Sequence, residues 1–435
     1  MRGLAGKLGR CLLRVAQEQQ QALLLPNCGQ LQHVTLSGVA ACHTASSSAP
    51  SPAGLSRLHT AVLPQPAATA QVWSSFSNVD PFAPVLSEVQ AISERLRHSV
   101  SSSIPALTQA AEYFFRKGVE GKRLRPTLTM LMASALSHGS PSLEYSKMDV
   151  RPAAEHAPEL RRRQQRIAEI AELIHVASLL HDDVIDDAST RRGILSLNAT
   201  VGNKVAILAG DFLLARASVS LAALRNTQIV ELLSQVLEHL VSGEIMQMTA
   251  SDEKLLSMEH YLQKTYCKTA SLMANSAKAV AVLSDQPPET APRSCCVCRH
   301  VVCDMAWSYG RHVGIAFQVV DDILDLTASS SILGKPALND IKSGLATAPV
   351  LFAAEQKPEL RPLILRKFKQ EGDLPKAVQL IEASDGIQRA KDLARHHCDM
   401  AVGMVAAMPE PQSDHAVLSR QALVEMTRRV LSRKK

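Results

Sequence analysis

Two copies of one acidic pattern constrain this chain more than any other feature. Leu179-Leu180-His181-Asp182-Asp183-Val184-Ile185-Asp186-Asp187 carries D-D-x-x-D behind an apolar run, and Gln318-Val319-Val320-Asp321-Asp322-Ile323-Leu324-Asp325 repeats it far downstream. On a helix, Asp182 and Asp186 stand on one face about 5–6 Å apart, and the like charges repel by roughly 0.2–0.5 kcal/mol. Burial makes that worse. A hard divalent cation removes the conflict, because Mg²⁺ takes carboxylate oxygens and keeps other positions for water and phosphate. A single acidic cluster is more often a solvated helix face. Two, each set in apolar sequence, are better explained by helices that face each other and clamp metal ions and a diphosphate.

Composition agrees with helices. The 435 residues are 46% hydrophobic but only 3% aromatic, whereas sheets favour aromatic and β-branched side chains. Strand patterns are absent, and an all-α bundle is expected. The net charge of +6, with no basic–aromatic interleaving, gives no indication of nucleic acid. No run is read as approaching the roughly 18–20 apolar residues that cross a bilayer, so no transmembrane segment is expected. Nine irregularly spaced cysteines suit a reducing compartment better than a disulfide framework.

Residues 1–80 stand apart from 81–435. Glu18 is the only acid before Asp80, and Arg2, Lys7, Arg10 and Arg14 interleave with Leu4, Leu8, Leu12 and Val15. This basic, amphipathic, acid-poor pattern predicts mitochondrial targeting. A Ser/Ala/Pro-rich stretch, Ala45 to Ala70, follows and is too poor in bulky apolar residues to fold. Helical spacing is expected over 86–98 and 105–117, from Pro126, from about Glu159 into the first motif, over 204–224, 226–248 and 258–283, and into the second motif. Residues 138–158 read as a polar loop. Shorter helices are expected after Lys357. The cluster Cys295-Cys296-Val297-Cys298-Arg299-His300-Val301-Val302-Cys303 lacks the two separated C-x-x-C pairs of a zinc site. It reads as a loop inserted before the second-motif helix.

With the two motifs go Gly121-Lys122-Arg123-Leu124-Arg125-Pro126, Asp186-Asp187-Ala188-Ser189-Thr190-Arg191-Arg192-Gly193, Lys268-Thr269-Ala270, Gly334-Lys335-Pro336 and Ala346-Thr347-Ala348-Pro349. From about residue 85 onward, this ordered set resembles the trans-polyprenyl diphosphate synthases. The resemblance implies an isoprenoid-synthase-type helical bundle around a deep central cavity. It also implies head-to-tail prenyl transfer, in which an allylic diphosphate ionises, isopentenyl diphosphate attacks the carbocation, and a proton leaves. Repeated, this makes a long all-trans chain for the ubiquinone side chain in the mitochondrion. Three Mg²⁺ ions are implied, with Asp182, Asp183, Asp186, Asp321, Asp322 and Asp325 as ligands or their supports. Lys268, Lys335, Lys342 and Arg191 would surround the allylic diphosphate, with Thr269 and Gln318 as polar contacts. Lys122, Arg125, Arg192 and His175 would bind isopentenyl diphosphate, where guanidinium forks match phosphate oxygens. Asp182, Asp186, Asp321, Asp322 and Lys268 would carry catalysis.

Ala177 and Ser178, just over one helical turn before Asp182, are expected to let the product grow past. Small residues there also suit close helix packing. A lone lysine is more often a surface side chain and a lone histidine a core one, so only the resemblance raises these individually. Glu120 departs from the family's glycine. The resemblance further implies oligomers, in animals with a motif-poor second subunit. A non-catalytic partner subunit would have lost metal ligands that this chain keeps. A diphosphate hydrolase would need water where the sequence offers small apolar walls.

Overall fold

The computed structural model describes residues 73, 79–100, 103, 108, 110, 113, 123–137, 156–191, 193–284, 296–327 and 338–433, all within the compact unit Ala61–Lys435. Residues 1–72, most of 105–117, and 138–155 lie outside them, as do Lys122, Arg192 and Gly334-Lys335-Pro336. The described fold is helical. Its main helices are α1 (Leu86–Ser99), α2 (Leu124–Ala135), α3 (His156–Ile185), α4 (Asn203–Ala223), α5 (Thr227–Met248), α6 (Met258–Thr265), α7 (Ser271–Ser284) and α8 (Cys296–Thr327). Beyond them lie α9 (Ala348–Gln356), α10 (Asp373–Glu382), α11 (Gly386–Ala406) and α12 (Asp414–Leu431).

Helix α7 organises the site. It is apolar nearly all round, with Leu272, Ala274, Ala279, Val280, Ala281 and Leu283 buried, as expected of a helix enclosed by others. It packs on α2, α3, α5 and α8. The two motif helices, α3 and α8, therefore flank one scaffold; Asp182 and Asp183 lie in the last turn of α3 with Asp186 just past its end, and Asp321, Asp322 and Asp325 lie in the last turns of α8. Carboxylates at a helix C-terminus oppose the macrodipole, so both helices end in charge that calls for cations. Helix α8 approaches α7 closely because two of its residues lack side chains. A Cβ on Gly310 would lie 2.6 Å from the Met273 carbonyl oxygen, and one on Gly314 would lie 2.6 Å from Ala270 Cα.

The structure corrects four expectations. The span 258–283 is not one regular helix: α6 and α7 are joined by a π-helical turn, Tyr266–Ala270, a distortion often found at functional sites. The second-motif helix begins at Cys296, so most of the cysteine cluster is helix and not an inserted loop. A two-residue antiparallel ribbon, Thr190–Arg191 with Ile194–Leu195, follows the first motif. Gly193 takes φ 81° in its turn, where a Cβ would be strained. Finally, α4 is long and apolar enough to cross a membrane by length and composition. It packs along α3 and carries Asp211 and Arg216, and a third of its apolar window is buried inside the protein.

Candidate active site

Asp182 and Asp186 lie on one side of the site, and Asp321 and Asp322 on the other. Burial raises the Asp182 carboxyl to about 6 against the pull of the Lys268 ammonium, and Glu244 and Asp186 add repulsion. Burial likewise raises Asp186. On α8, burial raises Asp321 against the pull of Arg433 and brings Asp322 to about 6. Asp340 reaches about 7, through burial and then repulsion by Asp322 and Asp325. Of the motif carboxylates, Asp182 and Asp322 are raised furthest by desolvation, whereas Asp186 is exposed.

The donor set fits a hard cation. It consists of carboxylate oxygens, and the buried Asp183 Oδ2 has no hydrogen-bond partner among the described residues. No three acidic, histidine or cysteine side chains among those residues converge to enclose an ion alone. An ion there would complete its shell with water and phosphate oxygens, as Mg²⁺ prefers.

Several residues singled out in the sequence meet in space. Arg125 Nη1 is 2.9 Å from His175 Nε2, which brings together two of the four residues expected at isopentenyl diphosphate. The backbone before Arg125 is fixed by the buried Arg123–Glu172 pair at 2.6 Å. Thr269 donates to Gln318 Oε1 at 2.9 Å, and Gln318 Nε2 donates to Asp322 at 2.9 Å. The other Asp322 oxygen accepts from Tyr261 at 2.6 Å. Asp322, 4% exposed, is thus engaged on both oxygens.

Other residues are occupied by the protein itself. Arg191 lies 2.6 Å from Asp183, so the two hold each other. Asp325 accepts from the backbone N–H groups of Asn339 (3.1 Å) and Asp340 (3.0 Å), and thereby caps the short helix Asn339–Lys342. Lys342 is exposed at the end of that helix. Ala177 is 0% exposed within the core. Ser178 is half-buried and donates to the His175 carbonyl at 2.9 Å.

Sequence reasoning missed five residues. Glu244 of α5 is ion-paired with Lys268, and Gln247 also accepts from Lys268, at 3.4 Å. The spacing Gly243-Glu244-x-x-Gln247 holds the only local signal. A Cβ at Gly243 would come 2.7 Å from Lys268 Cγ, so this glycine lets the lysine stem cross α5. Arg433 lies 2.7 Å from Asp321 and 4.3 Å over the Phe317 ring. Its guanidinium neutralises a motif carboxylate from the far end of the chain. Beside Lys268, Tyr266 packs between His239 (ring centroids 5.4 Å apart) and Trp307 (6.0 Å).

Residues 104–381 match the family model described as polyprenyl synthetase. The chain belongs to the polyprenyl synthetase family. It is 48% identical, over 82% of its length and 79% of the relative's, to "Solanesyl-diphosphate synthase 1, mitochondrial" of Oryza sativa subsp. japonica. An Arabidopsis medium/long-chain length prenyl pyrophosphate synthase shares the fold at TM-score 0.64 and 42% identity, covering 82% of this chain and 100% of that one. The polyprenyl synthase of Caulobacter crescentus CB15, solved with calcium and isoprenyl diphosphate, matches at TM-score 0.66 and 27% identity, over 82% and 98% of the two chains. Family membership makes the chain a prenyl-transferring enzyme with the all-helical fold of these structures.

Proposed function

We propose that the chain condenses isopentenyl diphosphate units onto an allylic diphosphate to build a long all-trans-polyprenyl diphosphate, in mitochondria and for the ubiquinone side chain. The observation that carries this reading is the pair of aspartate motifs held on either side of α7 with Asp182 and Asp322 under-solvated. Relatives named for solanesyl and hexaprenyl products support a long chain. The acid-poor basic N-terminus, together with the mitochondrial names of those relatives, supports a transit peptide and a matrix location.

Mg²⁺ bound there, in three ions per site on the resemblance, supplies positive charge against the departing diphosphate. Asp182, Asp186 and Asp321 would be its protein ligands. Asp322, fixed by Tyr261 and Gln318, orients the second motif. Lys268 approaches the same phosphate oxygens, with Glu244 holding its ammonium in place. Arg125 and His175, with Lys122 and Arg192, hold isopentenyl diphosphate. As the allylic C–O bond breaks, the double bond of isopentenyl diphosphate supplies the electron pair for the new C–C bond. The departing diphosphate then accepts the released proton. Lys335 and Lys342 are the remaining candidates for the allylic diphosphate.

Oligomerisation has support in uncovered apolar strips. Leu208 (60% exposed) and Val219 (68%) share one face of α4, and Val241 (65%) and Met248 (60%) one face of α5. Patches of this kind mark protein contacts. A second, motif-poor subunit is the proposed partner. Incubating the chain with Mg²⁺, farnesyl diphosphate and isopentenyl diphosphate, alone and with that subunit, and sizing the products tests the function and the partner together. Long products are expected only with the subunit present. Full activity from the chain alone removes the need for a partner, and free farnesol without longer chains indicates a hydrolase.

The first-motif helix should also set product length. It rises about 5.4 Å per turn, close to one extended isoprene unit, and Ala177 stands just over a turn below Asp182. Ala177→Tyr should shorten products to about three or four units by blocking growth on the scale of a turn. If Ala177 serves packing alone, the tyrosine costs ~1–3 kcal/mol through overpacking and leaves length unchanged. Chromatography of the products beside a thermal melt distinguishes the two.

A further inference from the structure

A cavity of about 250 Å³ opens beside the first motif, lined by Asp186, Glu244, Tyr261, Lys264 and Leu345 among others. Three lysines line it, Lys254, Lys264 and Lys367, and Lys264 is the one on the helix that leads into Lys268. It sits on α6, four positions before Lys268, which lies within the π turn. It is half-buried. Burial holds its ammonium below the ordinary lysine range, even though Asp322, Asp340 and Glu244 pull it up. Among the described residues it forms no ion pair; its recorded contact is with the Tyr261 ring, 5.8 Å from the centroid.

That is an unusual position for a lysine. Glu244 is taken by Lys268, and Asp322 is taken by Tyr261 and Gln318. A partly desolvated ammonium without its own carboxylate is costly. Its three donors face the same cavity as Asp186 and lie beside Tyr261, which is anchored to the second motif. An anion entering this cavity beside Asp186 would meet Lys264, and Glu244 on the same lining carries Lys268 one turn further along.

The structure assigns Lys264 to the allylic diphosphate, as a binding residue that contacts its phosphate oxygens together with Lys268. The assignment rests on the proposed diphosphate site between the motifs. It also explains why the lysine forms no ion pair among the described residues, since its partner is the substrate.

The test uses the full chain with its partner subunit, in Mg²⁺, comparing Lys264→Met and Lys264→Arg. Inorganic diphosphate serves as the probe in calorimetric titration, and steady-state kinetics vary farnesyl and isopentenyl diphosphates separately. A lost charged hydrogen bond predicts roughly tenfold or weaker binding of inorganic diphosphate by Lys264→Met. A matching rise in KM for farnesyl diphosphate is expected, with KM for isopentenyl diphosphate and the melting midpoint unchanged. Lys264→Arg, which keeps the charge, should recover most of the affinity. Unchanged diphosphate affinity in Lys264→Met overturns the assignment. So does a variant that melts earlier and loses affinity for both substrates in parallel, because that marks a lysine that only steadies the carboxylates. If the unmodified chain shows no Mg²⁺-dependent binding of inorganic diphosphate, the diphosphate site itself fails, an outcome distinct from failure at Lys264 alone.

Discussion

Asp182→Ala and Asp321→Ala should each lower turnover by about 10²–10³-fold, the usual cost of deleting one group that stabilises developing charge, while the protein still folds. Product formation per unit of folded protein is the measurement, and near-normal rates in either variant would sink the metal-clamp assignment. Asp182→Asn adds a stability readout of opposite sign. Asp182 is raised to about 6 by burial, above its unfolded value near 3.8. Below pH 4 the carboxyl is protonated in both states. As pH rises from about 4 to 6 the unfolded chain ionises first, so the stability contributed by this group is lost as pH passes through the folded value. At pH 7 with a chelator present, the charged Asp182 therefore destabilises the fold. Two pKa units correspond to at most about 3 kcal/mol, and partial exposure reduces that. Asp182→Asn should melt later than the unmodified chain in chelator at pH 7, with the gain fading below pH 4. A lower melting midpoint at pH 7 would show that Asp182 is a structural partner and not a strained ligand.

Gly314→Ala should damage both fold and function. On an isolated helix the change is favourable by about 1 kcal/mol. Here the new Cβ meets Ala270 Cα at 2.6 Å and Ala270 Cβ at 2.7 Å, and Ala270 closes the π turn that carries Lys268 and Thr269. Backbone cannot swing aside as a side-chain tip can, so α8 must move away from the turn. Overpacking of this kind costs about 1–3 kcal/mol. The Thr269–Gln318 bond at 2.9 Å spans the same gap and should be lost with it. The expected result is an earlier melt together with a fall in kcat larger than the lost folded fraction accounts for. A variant that melts at or above the original midpoint with full activity would show that the two helices have slack.

What the sequence made legible was whatever repeats locally. Helical spacing located α1, α3, α4 and α5 to within a few residues, and the family resemblance grouped Thr269 with Gln318 and Arg125 with His175, pairs that stand 2.9 Å apart. The missed features depend on pairs far apart in the chain. Glu244 looks like any solvated acid on an amphipathic helix until α5 is laid against the π turn. Arg433 looks like one of several basic residues in a charged tail until α12 returns it to Asp321. The π turn escapes because its side chains keep helical periodicity, and only the backbone register shifts. The membrane-length character of α4 escaped for another reason: Asp211 and Arg216 interrupt the apolar run to the eye, while the average over the window remains apolar.

The packing of Tyr266 against Trp307 has an optical consequence. The chain contains two tryptophans. Trp73 donates its indole N–H to Asp399 at 2.8 Å, on a face built from α11 and α12. Trp307 instead touches the first residue of the turn that carries Lys268, with the Arg311 guanidinium 5.7 Å from its ring. Indole emission follows the local field. With Trp73 replaced by phenylalanine, the chain carries a single tryptophan, packed on the turn that holds Lys268, and stopped-flow tryptophan emission could time substrate engagement separately from the chemistry that follows.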